Sequence, residues 1–292
     1  MTLSPRQVSD LLDNHGLEPS RALGQNFVVD PNTVRRIARL AGVGPGDRVV
    51  EIGPGLGSLT LALAETGASV TALEIDRRLV PVLDGVVAGM GVRVVEGDAM
   101  AMDWDGLVGT EPGWVMVANL PYNVATPLVA DLLDGVPQIS RMLVMVQREV
   151  GERLAAGVGD DAYGAISVKV GYWGRATVVG RVPAAVFVPR PRVSSVLVAI
   201  TRRVQPAVDP DLIGPAELFA VVRAGFGHRR KMLRRSLAGL VDADAFASAG
   251  VDPTMRAEDL DVEAWGRLAI AAGPTGGQGP VAAHGPAPAP RR

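Results

Sequence analysis

The tetrapeptide Asn119-Leu120-Pro121-Tyr122 follows the apolar run Trp114-Val115-Met116-Val117-Ala118, so it is expected where a buried strand ends. A carboxamide, a proline and an aromatic ring at such a place could hold an exocyclic amine. The lone pair of that amine is delocalised into its ring, which makes it a poor nucleophile. Asn119 can accept one N–H through its side-chain oxygen, and a backbone carbonyl near Leu120 or Pro121 can accept the other. Two such bonds favour a pyramidal nitrogen with its lone pair aimed outward, while Tyr122 stacks on a base drawn out of its helix or loop. The same four residues also fit an ordinary Asn–Pro turn with a tyrosine covering a sheet edge.

Other residues point to the same chemistry. Val49-Val50-Glu51-Ile52 runs into Gly53-Pro54-Gly55-Leu56-Gly57, and residues 58–64 read as a helix start, which makes a strand, tight loop and helix unit. The glycine spacing lets a ligand approach the backbone, but Ser58 stands where the dinucleotide fingerprint has its third glycine. A second strand, residues 70–73, delivers Glu74-Ile75-Asp76. Glu74 lies about 20 residues beyond Gly53, where an acid can accept bonds from ribose hydroxyls. A third strand, residues 92–95, ends in Glu96-Gly97-Asp98-Ala99-Met100, and the Asp98 carboxylate could take an adenine amino group. These strand ends converge on a nucleoside-shaped ligand.

These motifs, together with Leu23-Gly24-Gln25-Asn26-Phe27 and Asn123, resemble the ribosomal RNA adenine N6-dimethyltransferases, and most of all the branch acting on bacterial small-subunit (16S) RNA. The match covers roughly residues 20–240 in order. It implies S-adenosylmethionine as methyl donor and two adjacent adenosines in the 3′-terminal hairpin loop of 16S rRNA, within the small ribosomal subunit, as acceptors. By resemblance, Gly53, Gly55, Glu74, Asp98, Asn26, Val28 and Asn119 bind the donor. Asn119, Leu120, Pro121, Tyr122 and Phe187 handle the target base, and Arg190, Arg192, Arg229, Arg230, Lys231 and Arg234 meet RNA. The chain departs from the family pattern at Val28 (usually leucine), Ala125 (serine or threonine), Ser194 (aspartate) and His228 (glutamine). Alternatives are a macrolide-resistance methyltransferase acting on 23S rRNA, and an RNA-binding ribosome-assembly factor with secondary catalysis. A DNA adenine methyltransferase fits less well, since Leu120 stands where those enzymes carry a proline.

The elements that must position these groups follow from periodicity. From Val49 onward strands alternate with helices at residues 58–65, 77–87 and 126–133, and residues 143–146 form a fifth strand. Such alternation implies an α/β fold with a doubly wound parallel sheet that binds ligands at the carboxyl ends of its strands. The resemblance makes this a Rossmann-like class I methyltransferase sheet. Ahead of it, residues 4–18 read as a helix, and residues 30–41 as an amphipathic helix capped by Asp30 with Pro31 in its first turn. Residues 165–172, 176–182 and 193–201 all have strand character, as a closing antiparallel hairpin would. Between the last two, Phe187-Val188-Pro189-Arg190-Pro191-Arg192 reads as a stiff loop holding Phe187 opposite Tyr122; a connector with Phe187 in the core is the other reading.

Residues 1–203 are thus expected to form the methyltransferase domain. After a linker, residues 204–272 form a small all-helical domain, with helices at 215–224, 231–240, 243–249, 257–260 and 262–271. Residues 273–292, rich in Gly, Pro and Ala, are expected to be disordered.

Composition bounds the rest. The chain has 292 residues, no cysteine and three histidines far apart, so neither disulfides nor a metal are expected. No apolar run approaches a membrane span and no secretory region opens the chain, which points to a cytoplasmic protein, expected to act as a monomer. The net charge of −2 speaks weakly against a nucleic-acid partner. Distribution matters more, because Lys169 and Lys231 are the only lysines and arginine carries nearly all the positive charge. A GC-rich coding sequence would produce the same bias.

Overall fold

The computed structural model describes residues 2–121 and 124–273. The expectations for Tyr122, Asn123 and residues 274–292 lie outside the described residues. Two compact units meet in sequence at Ala207 and Val208. The boundary falls a few residues beyond 203 because Arg203 and Ala207 donate to the Trp173 and Tyr172 carbonyls, tying that segment to the first unit.

Helices α1 (Pro5–Asn14) and α2 (Pro31–Ala41) open the first unit, with the short strand β1 (Phe27–Val28) between them. Ser4 and Gln7 form a capping box at α1, and Asp30 caps α2 by accepting the Asn32 and Thr33 amides. Strand β2 (Arg48–Ile52), α3 (Ser58–Ala64), β3 (Ser69–Glu74), α4 (Val80–Val86), β4 (Arg93–Glu96), α5 (Trp104–Val108), β5 (Trp114–Asn119), α6 (Ala125–Gly135), β6 (Ile139–Gln147) and α7 (Arg148–Ala155) then alternate. Helix α8 (Ala165–Trp173) and strands β7 (Gly174–Val182), β8 (Phe187–Val188) and β9 (Ser195–Arg202) finish the unit.

Seven strands form one sheet in the order β4-β3-β2-β5-β6-β9-β7. Strands β2 to β6 pair in parallel, while β9 inserts antiparallel between β6 and β7. Both faces are buried, as the period-2 geometry of a strand requires when helices cover each side. Val50, Met116, Val144 and Val198 go to one core with α6, whereas Val49, Val117, Leu143 and Leu197 go to the other with α2 and α3. The sheet is therefore doubly wound, with β9 and β7 as its antiparallel end.

Residues 165–172 are a helix, not the strand expected. Their apolar residues bury Val168, Val170 and Tyr172, and α8 packs against α6, α7 and β7. An apolar run this short carries no periodic signal to separate a buried helix from a buried strand. The Ser167 hydroxyl secures the helix start, donating to the Arg153 carbonyl while accepting from the Gly164 amide.

Arg202, at the end of β9, donates to the Leu132, Leu133, Val136 and Ile139 carbonyls and lies 5.6 Å from the centre of the Trp173 ring. It caps the carboxyl end of α6, whose last carbonyls have no helical partners. Arg202→Ala is expected to destabilise the first unit by about 2–3 kcal/mol in urea unfolding, because charge-assisted bonds disappear and carbonyls are left unpaired. Arg202→Lys should recover little, since one ammonium cannot span four acceptors.

The described part of the second unit is helical: α9 (Pro215–Phe226), α10 (Leu233–Ser236), α11 (Ala243–Ala249), a 3-10 turn at Ala257–Asp259 and α12 (Val262–Ala272). Fully buried Trp265 lies against Gly225, where a β-carbon would come within 2.4 Å of its ring. The helix expected over residues 231–240 shrinks to the single turn of α10. Met232 bridges to Arg256, and the Leu233 and Arg234 amides donate to the Met255 and Pro253 carbonyls, so the segment entering α10 is held extended.

Candidate active site

The carboxyl ends of β2, β3 and β5 border one cleft. One part of it is lined by residues 23–28, Glu51, Gly53, Gly55, Glu74, Ile75, Asn119, Leu120, Pro121 and Phe187, with about 820 Å³ of space including its open mouth. A second chamber, about 590 Å³ and mostly apolar, is lined by Ile75, Gly97, Asp98, Ala99 and Met100 and shares Leu23, Gly53, Ile75, Leu120 and Pro121 with the first.

The glycine turn between β2 and α3 needs its glycines for two physical reasons. Gly53, Gly55 and Gly57 all have positive φ, at 69°, 59° and 88°. A β-carbon on Gly55 would also come within 2.8 Å of the Phe27 ring, and one on Gly57 within 2.8 Å of Leu83. The turn is held from below by Glu74, 3 % exposed, whose carboxylate accepts the Gly55 amide at 2.9 Å and the Asp76 amide at 2.8 Å. Burial pushes the Glu74 carboxyl up, and those two amide bonds offset part of the rise. Each oxygen retains acceptor capacity beyond its one amide.

Glu51 has a place in the site that its sequence motif alone did not assign. It is 1 % exposed, lines the cleft, and its Oε2 has no hydrogen-bond partner. Burial pushes its carboxyl up to about 8, partly offset by the neighbouring Thr60 hydroxyl and reinforced by the nearby Glu74 charge. A cation against that oxygen would favour the ionised form. The sequence signal was present: an acid in a strand otherwise made of Val and Ile, just before the glycine turn. Ile75, half exposed at a strand end yet lining both chambers, is a second such residue.

Asn119 closes β5. Its Nδ2 donates to the Asn26 carbonyl at 2.9 Å. A carbonyl only accepts, so this bond fixes the amide with its nitrogen toward residue 26 and its oxygen turned away, free to accept. The Leu120 amide donates to the Met145 carbonyl, extending the β5–β6 pairing past the strand end and pinning Leu120 and Pro121 beside it. Asn26 turns its own Nδ2 to the Gly24 carbonyl. Asp98 accepts the Met100 amide through Oδ1, which leaves Oδ2 for a ligand.

The cleft thus brings together Asn26, Val28, Gly53, Gly55, Glu74, Asn119, Leu120, Pro121 and Phe187, with Asp98 in the adjoining chamber. Phe187 is 3 % exposed and packs with Val28 and Val182, so it is a core residue that also lines the cleft. Arg190 and Arg192 are exposed and outside the lining. Arg229, Arg230, Lys231 and Arg234 are exposed in the second unit, where Arg229 pairs with Glu258 at 2.7 Å. Among the described residues, no group of acidic or histidine side chains is placed to hold a metal, and no helix is long and apolar enough to cross a membrane.

The sequence profile described as ribosomal RNA adenine dimethylase matches residues 18–272. A ribosomal RNA small subunit methyltransferase A from Cutibacterium acnes is 48 % identical over 271 residues, covering 89 % of this chain and 91 % of its own. One of the same name from Streptomyces coelicolor is 47 % identical over 278 residues, covering 91 % and 96 %. Among solved structures, a dimethyladenosine transferase from Plasmodium falciparum superposes with a TM-score of 0.70 at 26 % identity, over 82 % of this chain and 94 % of its own. The 23S rRNA methyltransferase ErmE gives 0.64 at 26 %, over 84 % and 98 %.

Proposed function

The chain belongs to the ribosomal RNA adenine dimethylase family, and from that membership we propose that it transfers methyl groups from S-adenosylmethionine to N6 of two adjacent adenosines in the 3′-terminal hairpin loop of small-subunit (16S) ribosomal RNA. The observation that carries the reading is the Asn119 amide, turned by the Asn26 carbonyl so that its oxygen is left to accept an amine N–H. The donor, when bound, supplies an electrophilic methyl: the amine lone pair forms the N–C bond as the C–S bond breaks, a neutral thioether leaves, and the amine proton passes to water.

The chain's own residues position and orient. The glycine turn at residues 53–57 brings backbone close to the donor, Glu74 accepts from its ribose hydroxyls, and Asp98 accepts from its adenine amine. Asn26 and Val28 cover it. Burial raises both the Glu51 and the Glu74 carboxyls, and a cationic donor brought against them would favour their ionised forms. Asn119 and the Leu120–Pro121 backbone hold the target amine, and Phe187 and Tyr122 flank the base. With both reactants held, the enzyme supplies proximity and lone-pair direction rather than a strong base.

Fold alone does not separate the small-subunit from the large-subunit reading, because both solved relatives superpose at 26 % identity. The 47–48 % identity to small-subunit enzymes over about nine-tenths of the chain favours the former. The proposed site of action is the cytoplasm, where the subunits are, and the proposed acting species a monomer. Incubation with labelled donor and under-methylated small or large subunits, followed by mapping of the labelled nucleotide, tests this. Label confined to the large subunit would reject it.

RNA binding falls to the exposed Arg190, Arg192, Arg229, Arg230, Lys231 and Arg234. Replacing Arg229, Arg230 and Lys231 together by glutamate is expected to weaken subunit binding and lower the log–log salt slope by about one unit for each phosphate no longer neutralised. Donor affinity should not move. A parent-like salt slope would reduce this segment to a solvated face.

A further inference from the structure

Residues 20–28 are tied to three parts of the cleft at once. Gln25 donates through Nε2 to Asp76 Oδ2 at 3.0 Å, across 51 positions of sequence, while its Oε1 accepts the Ser20 amide at 2.8 Å. Asp76 is 6 % exposed and gripped by Arg78 through bonds of 2.9 and 2.7 Å, which hold its carboxyl down at about 2. It is a fixed anionic acceptor at neutral pH. The next residue, Asn26, presents its carbonyl to the Asn119 amide. Phe27 then places its ring on Gly55, and Phe27–Val28 pairs with Phe187–Val188.

The consequence lies in the Asn119 side chain. A half-turn about its last torsion exchanges oxygen and nitrogen, and an amide turned that way offers N–H groups to an amine that needs an acceptor. The Asn26 carbonyl selects the productive orientation, and its own position depends on the chain just before it. There the long-range side-chain tether is Gln25.

Resting on the reading of Asn119 as amine acceptor, we propose that Gln25 is a positioning residue for methyl transfer: clamped on Asp76, it holds the Asn26 carbonyl where it orients the Asn119 amide. Donor cover and acceptor geometry are then set by one segment, and disturbing the clamp slows transfer even when both substrates saturate.

The test uses Gln25→Ala, Asp76→Ala and Asp76→Asn in the full chain, each first checked by thermal melting and donor affinity. Single-turnover transfer at saturating donor and subunits is expected to fall about tenfold in the two alanine variants, the effect of removing one orienting hydrogen bond. Asp76→Asn retains an oxygen for Gln25 and should stay within about threefold of the parent. In an Asn119→Ala background, Gln25→Ala should add nothing, since the amide it orients is gone. Losses that multiply there, or a folded Gln25→Ala protein with the parent's saturated rate, would overturn the proposal. If Gln25→Ala does not fold, Gln25→Met, similar in length but lacking the amide, takes its place. A readout independent of activity is solvent exchange of the Asn119 side-chain NH₂ by selective-label NMR, expected to be faster in the variant; unchanged exchange rejects the clamp. A parent that leaves adenosines unmodified while this exchange still responds to Gln25 would reject the amine-acceptor reading and keep the clamp.

Discussion

Asn119→Ala is expected to slow formation of both monomethyl- and dimethyladenosine by about 10²-fold, the scale observed when one preorganised hydrogen-bonding group is removed from a reacting centre. For the first transfer the amine has two N–H groups, one for the Asn119 oxygen and one for a backbone carbonyl. After one methyl is added a single N–H remains, so the second transfer depends on a single acceptor. Alanine removes the side-chain acceptor from both steps. It also releases the Asn26 carbonyl, but the β5–β6 pairing that holds the strand end is backbone and remains. Fold and RNA affinity should therefore change little. The measurement is mass spectrometry of nuclease-digested RNA from reconstituted subunits, counting unmodified, monomethyl and dimethyl adenosine with time. Parent-like dimethyladenosine formation by a folded Asn119→Ala protein would sink the lone-pair mechanism.

Glu74→Ala is expected to weaken donor binding roughly ten- to a hundredfold while leaving RNA binding intact. Loss of charge-assisted hydrogen bonds to ribose hydroxyls corresponds to about 1.5–3 kcal/mol. A second effect adds to it, because Glu74 also accepts the Gly55 and Asp76 amides, and alanine leaves the glycine turn without its support. Glu74→Gln separates the two in part: its carbonyl oxygen can still take the Gly55 amide, but its NH₂ cannot accept the Asp76 amide and the charge is gone. Calorimetric titration of the donor should rank parent above Gln above Ala. An unchanged donor dissociation constant in Glu74→Ala removes this acid from the site.

Much of the site was legible because its signals are local. The β-branched runs that end in Gly53-x-Gly55-x-Gly57, in Glu74 and in Asn119 each specify a strand and what it delivers within a few residues. A parallel sheet then places all those ends on one edge, so their convergence follows from alternation alone. The cap of α2 was legible for the same reason, as Asp30 accepts amides two and three residues on.

What sequence alone determined, then, is the order of the strands' cargo and the residue types at their ends. Only the tertiary structure decided how those residues are held. Residues 165–172 became a helix because α6, α7 and β7 surround them, and no periodicity within so short an apolar run records that. Residues 231–240 hold a single helical turn, and the residues entering it, 232–234, are tied to backbone partners at residues 253–256, which no local pattern records. Phe187 joined the core and the cleft at once through its pairing with Val28. The protonation preference of Glu51 comes from complete burial, and the direction of the Asn119 amide from a carbonyl 93 positions away in the chain. Periodicity and spacing report on neighbours in sequence; burial and long-range hydrogen bonds depend on which distant segments the folded chain brings together, and these orient the groups that the local signals name.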